Sequence, residues 1–218
     1  MALDVDAFSE RHFADLAAAF CRGRLGLARS VSDADAVTAG HTAGLRLHKF
    51  KRSAELPRVR RVLGALKSFA PASLLDIGSG RGVFLWPLLD ALPELFVTAL
   101  DVREDRVADL RAVATGGVER LSAVEADVHA LPFDDARFDL VTALEVLEHL
   151  DDPARAAREV LRVAVRGVIA SVPSKEDDNP EHIHLFSTDT LRDLFLDAGA
   201  LRVDVEHVRG HAVAVVSK

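Results

Sequence analysis

The N-terminal third of the chain carries aromatic and apolar side chains at helical spacing. Phe8, His12, Phe13, Leu16 and Phe20 lie mostly three or four residues apart, which is typical of one face of an α-helix. The pattern therefore predicts helical structure near the start of the chain.

Two further helices are predicted before residue 70. Asp33 is a candidate cap for the second helix. Pro57 fits the first turn of the third, because the missing proline N–H would have no intrahelical partner there. The apolar face of that third helix is formed by Val59, Val62, Leu63 and Leu66. Residues 1–70 are therefore expected to form a helical segment.

From residue 72 onward, short apolar strands alternate with helices. Strands are predicted over 74–77, 96–100, 121–126, 138–144, 165–172, 201–207 and 212–217, and helices over 83–92 and 103–114 and after the caps Asp152 and Ser187. Pro153 fits the first position of one helix, and Gly199 is expected to end the other. This alternation predicts an α/β fold with a doubly wound, mainly parallel sheet. A short turn at Arg209-Gly210 predicts that the last strand is reversed.

Length and composition narrow the class of protein. A chain of 218 residues fits one domain, with or without a small helical annex. Its net charge of −7 argues against general nucleic-acid binding. Cys21 is the single cysteine, so an internal disulfide is excluded. No apolar run approaches the roughly 20 residues that cross a membrane, and acids occupy the first positions where a signal peptide has bases. A cytoplasmic protein without a membrane partner is expected.

A glycine-rich turn follows the first predicted strand. Gly78, Gly80 and Gly82 allow a sharp turn and a close approach of a ligand. In the dinucleotide fingerprint the third glycine comes three residues after the second, whereas here it comes two after. The spacing therefore disfavours a nicotinamide-dependent oxidoreductase. A tight turn without a ligand is the alternative interpretation.

Acidic residues end the next two strands. Asp101 lies 25 residues after Asp76 and can accept hydrogen bonds from both hydroxyls of a ribose, or cap the following helix. Asp127 can meet the exocyclic amine of an adenine, or be a surface acid. Each interpretation is open for each residue taken alone.

Taken together, these stretches resemble a known family. Residues 74–82, 99–101, 125–127 and 138–141 are similar, in order and spacing, to the successive motifs of class I S-adenosylmethionine-dependent methyltransferases. The resemblance covers about residues 72–217. It implies a seven-stranded, Rossmann-like sheet with a reversed last strand and S-adenosylmethionine as the cofactor.

The resemblance also implies roles for individual residues. Gly78, Ser79 and Gly80 would pack against the methionyl part of the cofactor, Asp101 would hold the ribose, and Asp127 with Val128 the adenine. Asp76, Val102 and Glu145 complete the predicted cofactor-binding set. Residues 71–218 would form the catalytic domain and residues 1–70 the variable substrate cover.

A cluster of acids and histidines follows the fourth strand. If this stretch is helical, Glu145, Glu148 and His149 share one face, where two carboxylates and an imidazole could bind a divalent cation. His182 and His184 follow the fifth strand.

The cluster resembles the metal site of small-RNA 3′-terminal 2′-O-methyltransferases, and similar stretches occur in ubiquinone-pathway O-methyltransferases. The matching positions are Glu145, Glu148, His149 and His184, for Mg²⁺, Mn²⁺ or Zn²⁺. Three alternatives remain: Glu145 contacts the cofactor, His149 is a core histidine, or the loop around His182 is a lid without metal. Without a metal, the predicted catalytic residues are His149 and His184 as general bases, together with Glu145.

Residues 41–68 are strongly basic. They contain eight Lys or Arg and one Glu, which gives +7 and leaves −14 for the remainder. Such asymmetry can mark a surface for RNA or phosphate, or a solvated helix face. The absence of a run of aromatic residues in this segment gives no support for a base-stacking platform.

Three functions therefore compete. The first is O- or N-methylation of a small-molecule acceptor beneath an N-terminal helical lid. The second is metal-dependent methylation of a terminal ribose on RNA, using the 41–68 segment. The third is a non-catalytic cofactor-binding protein, because a fold alone does not guarantee catalysis.

Overall fold

The computed structural model describes residues 4–175 and 179–218. Eight α-helices and seven strands are assigned in this part of the chain. The helices are α1 (Val5–Arg11), α2 (Ala14–Leu25), α3 (Asp33–Thr42), α4 (Pro57–Phe69), α5 (Leu85–Ala91), α6 (Glu104–Thr115), α7 (Pro153–Val163) and α8 (Thr188–Asp197). The strands are β1 (Ser73–Ile77), β2 (Phe96–Asp101), β3 (Leu121–Glu125), β4 (Phe138–Leu144), β5 (Ala164–Pro173), β6 (Arg202–Val208) and β7 (His211–Ser217). Short 3-10 helices span Leu47–Phe50 and Leu147–His149.

The seven strands form one sheet in the order β3-β2-β1-β4-β5-β7-β6. β1 is parallel to β4 and β4 to β5, whereas β7 is antiparallel to both β5 and β6. The predicted α/β class and the reversed last strand are therefore confirmed. The strand order changes direction between β1 and β4, and ligands of doubly wound sheets bind outside the carboxyl ends of strands at such a point.

One compact unit comprises Met1–Glu55 and Ser79–Glu125. In this unit α2 crosses α6 at small residues. A Cβ added to Gly23 would lie 2.0 Å from the backbone oxygen of Ala112, and one added to Gly116 would lie 1.7 Å from that of Ala19. The two helix backbones therefore approach too closely for any larger side chain at either glycine.

The other compact unit comprises Leu56–Gly78 and Ala126–Lys218. Its central strands are apolar along their length, because parallel strands are covered on both faces. Leu74 pairs with Leu140, and Val141 with Val168, and all four side chains are buried. This packing holds the carboxyl ends of β1, β4 and β5 in register.

The local signals for helix starts are largely confirmed. Pro57 and Pro153 occupy the first turns of α4 and α7. Asp152 caps α7 by accepting a hydrogen bond from the Arg155 N–H at 2.8 Å. Ser187 forms a reciprocal capping box at the start of α8. These caps satisfy N–H groups that a helix start would otherwise leave without partners.

The prediction that Asp33 caps the second helix was wrong. Ser32 is the N-cap of α3 and its hydroxyl accepts the Asp35 N–H at 3.2 Å. Asp33 is the first helical residue, and its carboxylate pairs instead with Arg22 at 2.5 Å. The helical spacing near the start of the chain also belongs to two helices, because His12 between α1 and α2 is extended and bridges to Lys51.

The compact units do not coincide with a division at residue 70. α1, α2 and α3 belong to one unit, whereas α4 belongs to the other. The role of residues 1–70 as a substrate cover stays a prediction. No helix in the described residues has both the length and the apolar character needed to cross a membrane.

Candidate functional site

The turn after β1 depends on glycine at two of its positions. Gly78 has a φ of 67°, and a Cβ there would lie 2.6 Å from Val146 Cγ2, so no other residue fits between β1 and the segment after β4. Gly80 has a φ of 57° and donates its N–H to Asp101 Oδ2 at 2.9 Å. Both positions lie in the left-handed region that glycine alone adopts freely.

The third glycine of the turn, Gly82, leaves room for the side chain of Trp86. A Cβ on Gly82 would lie 2.0 Å from the indole of Trp86. The Trp86 Nε1–H lies 3.0 Å from the carbonyl oxygens of both Lys49 and Arg81. The unusual glycine spacing therefore has a packing cause, and the indole links the glycine turn to the segment before α4.

Asp101, at the end of β2, is buried and heavily bonded. Its Oδ2 accepts the Gly80 N–H and lies 3.3 Å from an Arg106 guanidinium nitrogen, and its Oδ1 accepts the Arg103 N–H at 3.0 Å. The carboxylate thus fixes the glycine turn and the approach to α6. The side chain of Val102 beside it is 68% exposed, an apolar surface at the carboxyl end of a strand.

The other predicted cofactor residues differ in environment. Asp76 is buried and accepts the Thr142 hydroxyl at 2.7 Å, which ties β1 to β4. Asp127 is exposed and accepts the backbone N–H of His129 at 2.8 Å and faces its Nδ1 at 2.7 Å. The backbone hydrogen bond is the largest influence that lowers the pKa of Asp127. Val128 is buried.

Glu145 is held rigidly at the end of β4. Its φ is 56°, a strained conformation for a residue with a side chain. Ser171 donates its hydroxyl to Glu145 Oε1 at 2.7 Å, and His211 Nε2 lies 2.9 Å from Oε2. Burial acts to raise the pKa of Glu145, but these hydrogen bonds outweigh it and the pKa lies below its ordinary value. The hydrogen bond with Glu145 also raises the pKa of His211 above its ordinary value.

A second group of side chains lies after the same strand. One ligand atom from each of Glu148, His149 and His182 can be chosen so that all lie within 4.8 Å of one another. His149 Nδ1 lies 2.8 Å from the Glu181 carbonyl oxygen. Because a carbonyl only accepts, Nδ1 carries the hydrogen and the neutral ring presents Nε2 as an acceptor. Metal-binding histidines are commonly oriented in this way.

The segment around His182 is fixed to this group by its backbone. The N–H groups of Ile183 and His184 donate to the Glu148 carbonyl oxygen at 2.9 and 3.2 Å. His184 Nε2 lies 2.9 Å from the Leu150 carbonyl oxygen, so it carries the hydrogen there. His184 therefore faces Leu150, whereas His182 lies beside Glu148 and His149.

Comparison with known families identifies the core of the chain. Residues 75–172 match the family described as "Methyltransferase domain". The match covers less than half of the 218 residues, and this part of the chain is similar to methyltransferase domains. The match begins in β1 and ends in β5, and so contains the glycine turn, Asp101 and Glu145.

Curated relatives share this methyltransferase domain. The chain is 34% identical over 107 residues to malonyl-[acyl-carrier protein] O-methyltransferase of Geobacter sulfurreducens, covering 48% of this chain and 40% of the relative. It is 36% identical over 105 residues to 27-O-demethylrifamycin SV methyltransferase of Amycolatopsis mediterranei, covering 47% and 38%. The chain thus spans less than half the length of each of these relatives.

Solved structures show the same fold. A SAM-dependent methyltransferase from Aquifex aeolicus superposes with a TM-score of 0.60 at 24% identity, covering 75% of this chain and 90% of that one. The 1,6-didemethyltoxoflavin-N1-methyltransferase of Burkholderia thailandensis, with bound 1,6-didemethyltoxoflavin and S-adenosylhomocysteine, superposes with a TM-score of 0.61 at 22% identity, covering 73% of this chain and 76% of that one.

The four residues predicted to bind a metal do not all face one another in the structure. The expected helical face does not form, because only Leu147–His149 is helical and Glu145 precedes it with a left-handed backbone. Glu145 is turned toward Ser171 and His211, and His184 toward Leu150. In the described residues, His182 lies beside Glu148 and His149, where His184 was predicted.

His211 is the residue of this site that sequence reasoning missed. It is the first residue of β7 and pairs with Pro173 of β5. The hairpin turn before it was predicted, but its place beside β4 depends on the register between distant strands.

The basic segment is partly neutralised within each compact unit. Lys49 pairs with Asp109 in one unit. Arg61 in the other donates two hydrogen bonds to Glu206, at 2.6 and 2.8 Å. Both cations are therefore balanced by neighbouring acids, and RNA binding by residues 41–68 stays a prediction.

Proposed function

We propose that this chain transfers a methyl group from S-adenosylmethionine to an oxygen or nitrogen of a small-molecule acceptor. The observation that carries the proposal is the position of Glu145 at the end of β4, beside the point where strand order reverses. Its backbone is strained, and its carboxylate accepts hydrogen bonds from Ser171 and His211. The family of residues 75–172 and the acceptors named for the rifamycin and toxoflavin enzymes support it.

The predicted cofactor residues fit a nucleoside and an amino-acid moiety. In one unit, the Asp101 carboxylate would receive the ribose hydroxyls, and Val102, which is exposed, would offer an apolar surface to the adenine. Ser79 and Gly80 of the same unit would contact the methionyl part of the cofactor. In the other unit, Gly78 and Asp76 belong to the methionyl side. Asp127 and Val128 belong to the adenine side, where the exposed Asp127 carboxylate can accept from an amine.

S-adenosylmethionine supplies an electrophilic methyl group on a sulfonium, so the chain's main task is alignment. We assign Glu145 to hold the O–H or N–H of the acceptor. Its carboxylate stays ionised because His211 and Ser171 donate to it. With a pKa below its ordinary value, Glu145 orients the acceptor and is a poor proton acceptor.

The proton of the acceptor is assigned to His149. Its Nδ1 is committed to the Glu181 carbonyl, and its ring is exposed, so Nε2 can receive a proton. His184 is less suited, because its Nε2 is committed to Leu150 and its side chain is partly buried. This narrows the two predicted bases to one.

A second candidate is metal-dependent methylation, including the terminal ribose of RNA. The observation that favours it is the grouping of Glu148, His149 and His182. A divalent ion held by them would lower the pKa of an acceptor hydroxyl. It would also occupy His149 Nε2, so the two candidates exclude each other.

A transfer assay separates these candidates. S-adenosylmethionine with a tritiated methyl group is incubated with a panel of phenols, catechols and amines, and with a short RNA, with and without EDTA. We expect transfer to a small acceptor that EDTA does not affect. His149→Gln should lower kcat by roughly 100-fold or more with little change in the KM for S-adenosylmethionine.

Other outcomes identify the rivals. Transfer to RNA that EDTA abolishes would establish the metal-dependent candidate. A protein that binds S-adenosylhomocysteine but methylates nothing on the panel would favour a non-catalytic cofactor-binding protein.

A further inference from the structure

The first turn of α4 carries an arginine, Arg58, whose side chain is half-buried. Within residues 4–175 and 179–218, its guanidinium group has neither an ion pair nor a hydrogen bond. Arg61, one helical turn later, donates two hydrogen bonds to Glu206 instead. Of these two cations on the same helix, only Arg58 is left without an acidic partner in the described part of the chain.

The packing of α4 against the last hairpin locates Arg58. Arg61 contacts Glu206 of β6, and Glu206 pairs with Val213 of β7. Arg58 lies on the same face of the helix, about 4.5 Å before Arg61 along its axis. His211 lies two residues before Val213, which is about 7 Å along the strand. Arg58 is therefore near His211 if α4 and β7 run in the same direction.

The far end of α4 shows that they do. Phe69, the last residue of the helix, accepts a hydrogen bond from the Arg166 guanidinium at 2.9 Å. The Arg166 carbonyl oxygen in turn accepts the N–H of Lys218, just past β7, at 3.0 Å. Because the two elements end together, the first turn of α4 lies beside the start of β7, where His211 contacts Glu145.

The charge of Arg58 acts on this pair. Burial and hydrogen bonds have the larger effects on the pKa of Glu145, and Arg58 lowers it further. The hydrogen bond with Glu145 raises the pKa of His211, whereas Arg58 acts to lower it. With His211 protonated, these three groups carry two positive charges and one negative charge. One positive charge is therefore left to be balanced.

A half-buried guanidinium group in this position favours an anion. Its N–H donors match the geometry of a carboxylate or a phosphate, and partial exclusion of water strengthens such a contact. The Glu145 carboxylate is directed at Ser171 and His211. The anion for Arg58 therefore has to come from a ligand.

We propose that Arg58 binds an anionic group, a carboxylate or a phosphate, of the methyl acceptor. The O–H or N–H of the acceptor lies at Glu145 and its anionic group at Arg58, so that two contacts fix its orientation. The proposal rests on the proposed function and narrows its acceptors to acids.

Chemical modification of Arg58 tests the proposal without a known acceptor. Phenylglyoxal modifies accessible guanidinium groups, and mass spectrometry of peptides measures the rate at each arginine. The probes are benzoate and phenyl phosphate, with benzamide as the neutral analogue, added to protein saturated with S-adenosylhomocysteine. We expect at least one of the anions to slow the modification of Arg58 severalfold and saturably, and benzamide to have no effect.

Arg158 is the internal control. It is an exposed arginine of α7, and in the described residues its side chain also has neither an ion pair nor a hydrogen bond. Its rate of modification should not change. Protection of Arg58 by neither anion, or equal protection by benzamide, would overturn the proposal. Equal protection of Arg158 would also overturn it, because the effect would then be a general one of salt.

Two nucleosides separate the acceptor from the cofactor as the source of the anion. S-adenosylhomocysteine has a carboxylate, and 5′-methylthioadenosine lacks it. Without other probes, Arg58 should be equally reactive in the presence of either nucleoside. Slower modification with S-adenosylhomocysteine would assign Arg58 to the cofactor and overturn the proposal.

Kinetics with an acceptor found by the transfer assay give a second test. Arg58→Gln should raise the KM for the acceptor roughly tenfold or more, with little change in kcat or in the KM for S-adenosylmethionine. Arg158→Gln should behave as the wild type. Protection of Arg58 without methyl transfer to any acceptor refutes the proposed function alone, and methyl transfer without protection refutes this inference alone.

Discussion

His211 Nε2 lies 2.9 Å from Glu145 Oε2, so the first residue of β7 fixes the carboxylate at the end of β4. His211 Nδ1 lies 3.2 Å from the Arg209 carbonyl oxygen. Both ring nitrogens therefore face acceptors, and the doubly protonated imidazolium satisfies both. This arrangement keeps Glu145 ionised without burying an uncompensated charge.

The pair makes stability depend on pH. The pKa of His211 is raised above its ordinary 6.5, so its contribution is complete below pH 6.5 and is lost as the pH rises through the folded value. The pKa of Glu145 lies below its ordinary 4.5, so its contribution is complete above pH 4.5 and is lost as the pH falls through the folded value. The pair should stabilise the fold most between these two pH values.

Substitution of His211 tests this dependence. Urea denaturation of the wild type and His211→Gln should differ by about 1 kcal/mol at pH 5.5. The difference should shrink as the pH rises above 6.5. A difference that is constant from pH 5 to pH 9 would show that the charge of His211 does not matter.

The close contact between Gly82 and Trp86 predicts an unequal effect of two alanine substitutions. Gly82 and Gly210 have nearly equal φ values, 81° and 82°, but a Cβ on Gly210 meets nothing within 4 Å. Gly210→Ala should cost about 1–2 kcal/mol of backbone strain. Gly82→Ala should cost about 2–4 kcal/mol, because the clash with the indole adds to that strain.

Urea denaturation gives both free energies of unfolding. Because Gly210 carries the same strain without the clash, the difference between the variants measures the packing of Trp86. Equal losses would mean that the turn moves to accommodate the methyl group.

The metal-dependent candidate predicts which histidine is a ligand. If this candidate holds, calorimetric titration of Mn²⁺ into protein saturated with S-adenosylhomocysteine will show one saturable site. That site should be lost in His182→Ala and kept in His184→Ala, because His182 lies beside Glu148 and His149 whereas His184 bonds to Leu150. Loss of the site in His184→Ala but not in His182→Ala would support the ligand set that was predicted with His184. No binding by the wild type would eliminate the metal-dependent candidate.

Local signals in the sequence predicted most of the fold. β4 was placed at the same bounds as observed, because an apolar run flanked by polar residues is a strong strand signal. Asp152 and Ser187 were identified as caps because their side chains act within one helical turn. The error at Asp33 arose because Ser32, its neighbour, is an equally good cap.

The site was harder to predict because its contacts are not local. The left-handed backbone of Glu145 interrupts the helical face that its spacing from Glu148 suggested. The contact with His211 requires the strand order β4-β5-β7, which no local pattern contains. The choice between His182 and His184 depends on how one segment pairs with the Glu148 carbonyl.

Calorimetry with S-adenosylhomocysteine tests most directly whether this chain binds S-adenosylmethionine with Asp101 at the ribose. We expect one site with micromolar affinity, at least tenfold weaker in Asp101→Asn and unchanged in Asp105→Asn, where an exposed acid paired with Arg103 is altered instead. Binding of NAD⁺ in place of S-adenosylhomocysteine, or equal affinity in wild type and Asp101→Asn, would contradict the account.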